Sequence, residues 1–261
     1  MKRDPSWAVC LRYGIPSYRL PRERLQWDID AILSTGIEYK TDYDVDSEEA
    51  IKEINENYDA MYISVGSHNH KNLGIPGEYA KGVIPAVEML RGIGDDAMPD
   101  FNGKSVVVIG GGNVAMDVAI TARRLGAESV TLACLESEPE MPASREEIAR
   151  AREEGIEIMP SYGVSKAIYE GSQVTGMELM RCTSVKDENG RFNPRYDREE
   201  TLRVSADSIL MAAGQKVDLS FLGDKYGLAL ERGLIQVDKD TQATSKSGIY
   251  AGGDATQDRP P

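Results

Sequence analysis

The sequence predicts an α/β protein in which a parallel β-sheet is followed by an antiparallel β-meander. Between residues 104 and 161, short runs of apolar and β-branched residues alternate with segments whose apolar residues recur at helical spacing. This order is typical of parallel strands joined by helical crossovers. From residue 164 to residue 206 the helical spacing is lost, and strand-like runs are separated by turn residues. We therefore expect one α/β domain that carries a meander.

The first hundred residues predict fewer regular elements. A helix is predicted to end at Gly36, and a short strand is predicted before Gly66. A segment rich in proline and glycine follows over residues 72–79, and residues 83–91 are predicted to form a helix. The segment MPDFNGK then indicates a domain boundary.

Residues 104–161 predict the order β-α-β-α-β. The first helix is predicted to end at Gly126, which suits the left-handed position after a helix. The second helix is predicted to begin with a capping box of Ser144 and Glu147 and to end at Gly155. The three strands, each short enough for a buried parallel strand, are SVVVIG, SVTLACLE and IEIMPS.

The meander and the C-terminal part complete the predicted architecture. The polar segment KDENGRFNPRYDREE is predicted to be a hairpin loop inside the meander, and LIQVD to be a further short strand. The predicted meander strands are VSKAIYE, VTGMELMRCTSV and TLRVSA.

Two segments of the chain are similar to each other. DAMYISVG ends at Gly66 and DSILMAAG ends at Gly214, and each consists of an aspartate, an apolar strand and a glycine. Two unrelated buried strands would explain the similarity. Two similar ligand-binding domains would explain it as well, because a terminal glycine lets a ligand approach the backbone. Gly66, Ala213 and Gly214 are therefore candidate cofactor-binding residues.

Composition excludes several classes of function. The chain has 261 residues, enough for one or two domains, and a formal net charge of −13. Such a charge repels nucleic acids and anionic membranes, although it is also compatible with docking onto a basic partner. No signal peptide or membrane-spanning run is predicted, and the cysteines, Cys10, Cys134 and Cys182, contain no CxxC pair. We expect a cytoplasmic protein without its own cysteine-ligated iron–sulfur cluster.

The glycine-rich turn after the first central strand predicts a dinucleotide-binding site. Gly110, Gly112 and Ala115 match the pattern G-x-G-x-x-A between a strand and a helix, as in Rossmann-like domains. In that pattern Gly110 makes the tight turn, Gly112 lets a pyrophosphate approach, and Ala115 keeps the helix close to the strand. The N–H groups at the start of the helix bind the anion. The candidate nucleotide-binding residues of this turn are Gly110, Gly111, Gly112, Asn113, Val114 and Ala115.

Glu136 is the candidate that selects the nucleotide. It ends the second central strand, where a carboxylate accepts hydrogen bonds from the ribose of NAD and repels the phosphate of NADP. Glu138 and Glu140 follow closely, so a solvated acidic loop is the alternative. The first interpretation predicts a preference for NADH.

Six motifs together resemble the small (β) subunit of glutamate synthase and its relatives. These proteins are NAD(P)H-dependent FAD oxidoreductases that pass electrons to iron–sulfur clusters, and the resemblance covers about residues 11 to 258. It implies an NAD(P)-binding domain over residues 100–215, inserted into a partial FAD-binding domain over residues 1–99 and 216–261. In order, the motifs are LRYGIPSYRLP, GIPGE, VVVIGGGNVAMDVA, EMPASREEIARAREEGI, AAGQKVD and GIYAGGDATQ.

The resemblance also implies cofactor roles outside the central domain. GIYAGGDA looks like the second FAD motif, in which Gly253 and Asp254 contact the cofactor and Asp254 holds the ribityl chain. Tyr18 and Arg19, with Tyr13, are implied to line a flavin or interface surface. Because hydride transfer needs two stacked rings and no protein nucleophile, no acid–base catalyst is predicted.

Two departures from the family pattern shape the prediction. The glycine loop that precedes YGIPSYRLP in the family has no counterpart in MKRDPSWAVC, so we expect a fragment, a shortened chain or part of a split protein. FAD binding by this chain alone is left open. The family usually carries an arginine pair where Leu135 and Glu136 stand, which favours an NADH-dependent relative with an iron–sulfur partner. An NADPH-dependent glutamate synthase subunit and a non-catalytic nucleotide-binding module are the alternatives.

His68 and His70 form the one feature of the sequence that suggests a metal. Two imidazoles in one loop can bind a metal ion. No carboxylate or cysteine lies near them in the sequence to complete a site, so no metal is predicted.

Overall fold

A computed structural model describes residues 9–41, 43, 45, 47–95, 97–222 and 226–256. The helices, in chain order, are α1 (Val9–Gly14), α2 (Arg22–Leu33), α3 (Glu48–Asn57), α4 (Ala86–Gly94), α5 (Asn113–Arg124) and α6 (Arg145–Glu153). The strands are β1 (Met61–Ile63), β2 (Asn69–His70), β3 (Val83–Pro85), β4 (Ser105–Ile109), β5 (Ser129–Ala133), β6 (Glu157–Met159), β7 (Tyr162–Glu170), β8 (Gln173–Lys186), β9 (Phe192–Ser205), β10 (Ser208–Met211), β11 (Gln215–Lys216), β12 (Leu230–Glu231), β13 (Leu234–Ile235) and β14 (Ile249–Ala251). None of the helices in these ranges is long and apolar enough to cross a membrane.

The chain forms two compact units. The larger unit consists of residues 11–28 and 70–214, and the smaller unit of the described parts of 1–10, 29–69 and 215–261. The domain limits predicted from the sequence, at 99/100 and 215/216, concern which cofactor each part binds. They stay predictions, because compactness alone does not decide that question.

The larger unit is built on a five-stranded parallel sheet with the order β3-β10-β4-β5-β6. Successive side chains of β4 point to opposite faces, as the pleat of a strand requires. Val106 and Val108 pack in the core formed with α4, α5 and α6, whereas Val107 and Ile109 pack in the core shared with the meander. Both faces are covered, which explains why this strand is apolar throughout. The predicted β-α-β-α-β order is confirmed.

Helix α5 is held against the sheet by small and β-branched residues. Ala115, Val118, Ala119 and Ala122 are fully buried, at the helical spacing that the sequence indicated. The helix ends at Arg124, and Gly126 follows with φ +93°, in the left-handed region that favours glycine.

The predicted helix over residues 83–91 is wrong at its start. Val83–Pro85 forms β3, which pairs in parallel with β10 at the edge of the sheet, and α4 begins only at Ala86. Val83 and Ile84 are β-branched, and proline is tolerated at the edge of a sheet and before a helix because it lacks an N–H. The local apolar spacing did not reveal that β10 lies alongside.

The antiparallel meander is confirmed in the order β7-β8-β9, but the predicted polar hairpin loop is wrong over most of its length. Strand β9 begins at Phe192 and pairs with β8 as far as Ser205. The turn itself is short, and the Asp187 carboxylate closes it by accepting from the backbone N–H groups of Asn189 and Arg191. The first half of β9 is largely exposed, so it lacks the apolar alternation by which strands are predicted.

In the smaller unit, β1 and β14 pair in parallel. Their inward side chains, Ile63 and Ile249, pack in one core with Ile51 of α3 and with Ile235 of β13. The strands predicted before Gly66 and in LIQVD are therefore confirmed, although each is short. Helix α2 stops at Leu33, before the predicted end at Gly36.

Candidate dinucleotide-binding site

Gly110 makes a turn that other residues cannot make. It follows β4 directly and has φ +141°, and a Cβ atom added there would lie 2.5 Å from the carbonyl oxygen of Ala212. Both the backbone angle and the close approach of β10 exclude a side chain. The glycine is thus required by the fold itself, as expected for the tight turn between β4 and α5.

Gly112 lies in open space at the start of α5. Its φ is −92°, which any residue can adopt, and no atom lies within 4 Å of the position of an added Cβ. It is the N-cap residue of α5, and no side chain caps this end of the helix. The first N–H groups of a helix have no intrahelical partner and carry partial positive charge. Ala115 is completely buried one turn later, so the helix packs tightly behind the loop.

The backbone of Ala143 and Ser144, directly before α6, forms hydrogen bonds with the glycine loop. The Ala143 N–H donates to the carbonyl of Gly111 at 3.0 Å, and the Ser144 N–H donates to Oδ1 of Asn113 at 2.9 Å. Ser144 Oγ accepts from the Glu147 N–H, as the predicted capping box requires. The reciprocal half of the box is wrong, because Asn113 takes the place of the Glu147 side chain as acceptor for the Ser144 N–H. The positions of Gly111 and Asn113 are thereby held by the residues directly before α6.

Glu136 faces the glycine loop. One of its carboxylate oxygens lies 2.9 Å from the position of an added Cβ on Gly111. Its backbone carbonyl accepts from the Ser161 N–H at 2.8 Å, and Ser161 has φ +63°, an unusual angle for a residue other than glycine. Glu136 as a whole is half-buried.

Glu138 and Glu140 behave differently from Glu136. Glu138 is exposed and pairs with Arg152 at 2.9 Å, which lowers its pKa, and the exposed Glu140 carboxylate accepts from the Ser137 hydroxyl. The interpretation of this region as a solvated acidic loop therefore describes these two residues. Behind them, burial raises the pKa of the Cys134 thiol to about 12, so this cysteine is neutral at physiological pH.

The end of β10 lies beside the turn at Gly110. The Ala212 N–H donates to the Ile109 carbonyl at 2.8 Å. Ala213 is half-buried, and Gly214 has φ +108° with no atom within 4 Å of an added Cβ. From β4 the chain crosses through α5 to β5 on one side, while β10 lies on the other side. In open parallel sheets, ligands bind at the carboxyl ends of strands at such a point.

In the smaller unit, the candidate FAD residues lie at the carboxyl ends of β1 and β14. Gly66 has φ +68° and Gly253 has φ +70°, and the Gly252 N–H donates to the Ile63 carbonyl at 3.0 Å. Space is open around Gly253, and Asp254 follows in an exposed 3₁₀ turn.

Ser67 provides a test of whether this part of the chain fits a ligand. Its hydroxyl is buried and has no hydrogen-bond partner within the described part of the structure. Buried polar groups are normally satisfied, so an orphaned hydroxyl next to Gly66 is the kind of atom that a bound cofactor would satisfy. The residues present at this edge therefore fit FAD.

Tyr18 and Arg19, which the resemblance implies on a flavin or interface surface, both contact Asp117 in the structure, and the implied role stays a prediction. Nη1 of Arg19 donates to both carboxylate oxygens of Asp117 in α5, at 2.9 and 3.0 Å, and Nη2 lies 3.2 Å from Glu147 of α6. The Tyr18 hydroxyl also donates to Asp117, at 3.3 Å. A sequence signal was available, because Asp117 interrupts the apolar face of α5 and a buried acid requires a partner.

Comparison with known proteins identifies the family. Residues 13–261 match the family model described as pyridine nucleotide-disulphide oxidoreductase. The chain therefore belongs to the pyridine nucleotide-disulphide oxidoreductase family, and the fold class predicted from the sequence is confirmed.

Similar proteins support the resemblance to the glutamate synthase small subunit and its relatives that the six motifs indicated. The chain is 38% identical, over 94% of its length, to NADP(+)-dependent formate dehydrogenase subunit beta of Moorella thermoacetica, and covers 35% of that protein. It is 31% identical, over 97% of its length, to the glutamate synthase [NADPH] small chain of Escherichia coli, and covers 57% of that protein. FprA of Mycobacterium tuberculosis shares the fold, with a TM-score of 0.79 over 98% of this chain and 71% of FprA at 16% identity. The chain thus spans about a third to just over half of these two sequence relatives.

Proposed function

We propose that this chain binds NADH on the glycine loop of the larger unit and passes a hydride to FAD, with electrons continuing to an iron–sulfur partner. The observation that carries the proposal is the open backbone at Gly112, at the uncapped start of α5. An uncapped helix start beside a residue without a Cβ suits a pyrophosphate. Gly110, Gly111, Asn113, Val114 and Ala115 form and support this loop.

Glu136 supports the preference for NADH. Glu136 is half-buried, and its carboxylate lies beside the loop, where it can accept hydrogen bonds from the hydroxyls of the adenine ribose. The additional phosphate of NADP would meet a negative charge at this point. The formate dehydrogenase and glutamate synthase relatives are named for NADP(+) and NADPH. The preference proposed for this chain therefore departs from what the names of those proteins state.

The proposed FAD contacts lie in the smaller unit. Gly253 permits close approach to the backbone, whereas the His68 ring lies beside Gly66, 3.0 Å from the position of an added Cβ. Gly66 stays a proposed contact, Ser67 offers a hydroxyl, and Asp254 is the residue that the family resemblance assigns to the ribityl chain. When bound, FAD supplies the isoalloxazine ring that accepts a hydride and releases electrons singly. The protein contributes binding and orientation, and no side chain is assigned as an acid or base. Ala213 and Gly214 are proposed as further cofactor contacts in the larger unit.

The proposal extends to organisation, partners and location. We assign residues 1–99 and 216–261 to FAD binding and residues 100–215 to NAD(P) binding. The formate dehydrogenase relative is named as a subunit, which supports a partner protein. An iron–sulfur centre in that partner would take up the electrons, since the cysteines of this chain include no CxxC pair. The separated cysteines also favour a reducing cytoplasm.

Titration of the purified chain with NADH and with NADPH tests the nucleotide assignment. We expect tighter binding of NADH, and we expect Glu136→Gln to narrow the ratio of the two dissociation constants by about tenfold, as for loss of one charged hydrogen-bonding partner. Glu138→Gln is the matched control, because that exposed residue pairs with Arg152 and should leave the ratio unchanged. Tighter NADPH binding by the unaltered protein would reject the preference.

The visible absorbance of the same preparation separates enzyme from binding module. A flavin spectrum that is bleached by NADH supports hydride transfer by this chain. A colourless protein that still binds NADH instead supports a nucleotide-binding module that needs another segment or partner for FAD.

A further inference from the structure

A cluster of charged side chains connects the N-terminal segment to the two helices beside the glycine loop. Its members are Tyr18, Arg19, Asp117 and Glu147, all within the larger unit. The Asp117 and Glu147 side chains are 5% and 10% exposed, whereas Arg19 retains 30%. Burying two carboxylates is costly unless a cation pairs with both. Arg19 is the cation that contacts both of them.

The geometry of Arg19 suits a bridge between α5 and α6. Its Nη1 donates to both oxygens of Asp117, and its Nη2 lies 3.2 Å from Oε1 of Glu147. A planar guanidinium can make these contacts at the same time, whereas the ammonium of a lysine is a single point. The other oxygen of Glu147 is buried and has no hydrogen-bond partner among the described residues, and Arg19 forms the ion pair with this carboxylate.

Both helices that Arg19 joins contact the proposed nucleotide loop. Asp117 lies one turn after Asn113 in α5, and Glu147 lies in the first turn of α6, three residues after Ser144. Ser144 binds the Asn113 side chain, and Ala143 binds the carbonyl of Gly111. A shift of α6 relative to α5 would therefore move the peptide groups that face the ligand.

Tyr18 makes the connection to α5 and α6 more rigid. Its hydroxyl donates to Asp117, and the guanidinium groups of Arg124 and Arg150 contact its ring, at 4.2 and 4.9 Å from the ring centroid. Arg124 is in α5 and Arg150 is in α6, so the ring contacts the same two helices as Arg19. Cation–π contacts of this kind are attractive and hold the ring against both helices.

We propose that Arg19 is a positioning residue for dinucleotide binding, acting through the Asp117–Arg19–Glu147 bridge that sets α6 against the glycine loop. The inference rests on the nucleotide site proposed above and extends it to a residue that makes no contact with that loop. Because the loop serves the pyrophosphate that NADH and NADPH share, Arg19 affects both nucleotides equally. Glu136, in contrast, distinguishes them.

The test compares Arg19→Gln and Arg19→Lys with Arg203→Gln in the full chain. Arg203 is an exposed arginine of the meander that pairs with Glu178, and it serves as the matched control for loss of one surface ion pair. We expect Arg19→Gln to raise the dissociation constants of NADH and NADPH by the same factor, about tenfold. Arg19→Lys should give a smaller increase, and Arg203→Gln none. Melting curves establish that each variant is folded at the temperature of the titration.

Two further readouts separate positioning from a general loss of stability. Adding Glu147→Gln to Arg19→Gln should raise the dissociation constants less than the two single changes predict together, because both act on one bridge. In Arg19→Gln, the carboxylates of Asp117 and Glu147 repel each other without their cation, and Tyr18 still donates to Asp117. Arg124 and Arg150 contact the Tyr18 ring. Burial raises the pKa of the Asp117 carboxyl, and the loss of the Arg19 guanidinium raises it further. Asp117 therefore accepts a proton more readily as the pH falls, and the variant should regain affinity toward lower pH.

The outcomes are distinct. Unaltered protein that binds neither nucleotide overturns the proposed function, and the role of Arg19 with it. Unaltered protein that binds NADH, together with an Arg19→Gln variant that is folded and binds like Arg203→Gln, overturns only the role of Arg19. A change in the NADH-to-NADPH ratio in Arg19→Gln also contradicts it, because that result places Arg19 at the ribose end of the site.

Discussion

Gly110 and Gly112 lie two residues apart and are glycines for different reasons. Gly110 is required by the fold, because its φ is +141° and the carbonyl of Ala212 occupies the space of a Cβ. Gly112 has an ordinary φ of −92° and open space around it, so the folded protein alone does not require a glycine there. A ligand that approaches the backbone would require it.

The two glycines therefore predict opposite results on substitution. We expect Gly110→Ala to lower the free energy of unfolding by several kcal/mol, about the cost of backbone strain combined with a buried clash. Gly112→Val should leave the unfolding free energy within about 1 kcal/mol and weaken NADH binding at least tenfold. Urea denaturation and fluorescence titration measure the two quantities. If Gly112→Val binds NADH like the unaltered protein, the pyrophosphate does not lie at this loop.

Helix α6 is an element whose start serves both stability and the site. Ser144 caps it by accepting from the Glu147 N–H at 3.3 Å, and the same residue donates its backbone N–H to Asn113. Ser144→Ala removes the cap and keeps the backbone donor. We expect it to lower the free energy of unfolding by about 1 kcal/mol, the usual loss for an N-cap.

Urea denaturation of Ser144→Ala measures this contribution. Ser172→Ala, in the exposed turn between β7 and β8, is the control. NADH affinity should change little in Ser144→Ala, because the Ser144 N–H still fixes Asn113. A large loss of affinity would show that the hydroxyl itself has a role at the nucleotide site.

Inner strands and edge strands show where local sequence was sufficient to predict an element and where it was not. Strands β4 and β5 were predicted because both faces are covered, so nearly every residue is apolar. The first half of β9 was missed because its side chains are largely exposed and only the ladder with β8 defines it as a strand. Residues 83–85 were mistaken for helix because β10, which pairs with them, is more than a hundred residues away in sequence.

At the scale of the whole molecule, nucleotide binding is linked to stability. A ligand that binds only the folded chain raises the free energy of unfolding, by about 2.7 kcal/mol at a concentration of one hundred times the dissociation constant. We expect NADH to raise the melting temperature of the unaltered protein accordingly. NADPH at the same concentration should raise it less, and Gly112→Val should show a clearly smaller shift with either nucleotide.

The melting experiment also tests the assignment of the site as a whole. ADP-ribose, which lacks the nicotinamide ring, should retain most of the stabilisation, since the pyrophosphate and adenine ribose carry the proposed contacts. An equal rise in melting temperature with NADH in Gly112→Val would place the binding site elsewhere in the chain.

Some features of the candidate site were predictable from local sequence, and others depend on contacts between distant residues. The glycine loop and Glu136 were predictable because strand, turn and helix follow one another in the sequence, and each residue type has a local physical reason. Other features depend on contacts between elements. These are the hydrogen bonds from Ala143 and Ser144 to the glycine loop and the hydrogen bond from Ser161 to Glu136. No local pattern indicated them.

By itself, the sequence determined the α/β class, the β-α-β-α-β order, the glycine turn and the family, because each is encoded in short-range periodicity or in contiguous motifs. Only the tertiary structure decided that Arg19 meets Asp117, 98 residues along the chain, and that Asn113 replaces the Glu147 side chain as the acceptor for Ser144. It also decided that Glu136, unlike Glu138 and Glu140, faces the loop. Such pairings depend on how helices and strands pack against one another. Packing brings together side chains that are far apart in sequence, and no local sequence pattern predicts these contacts.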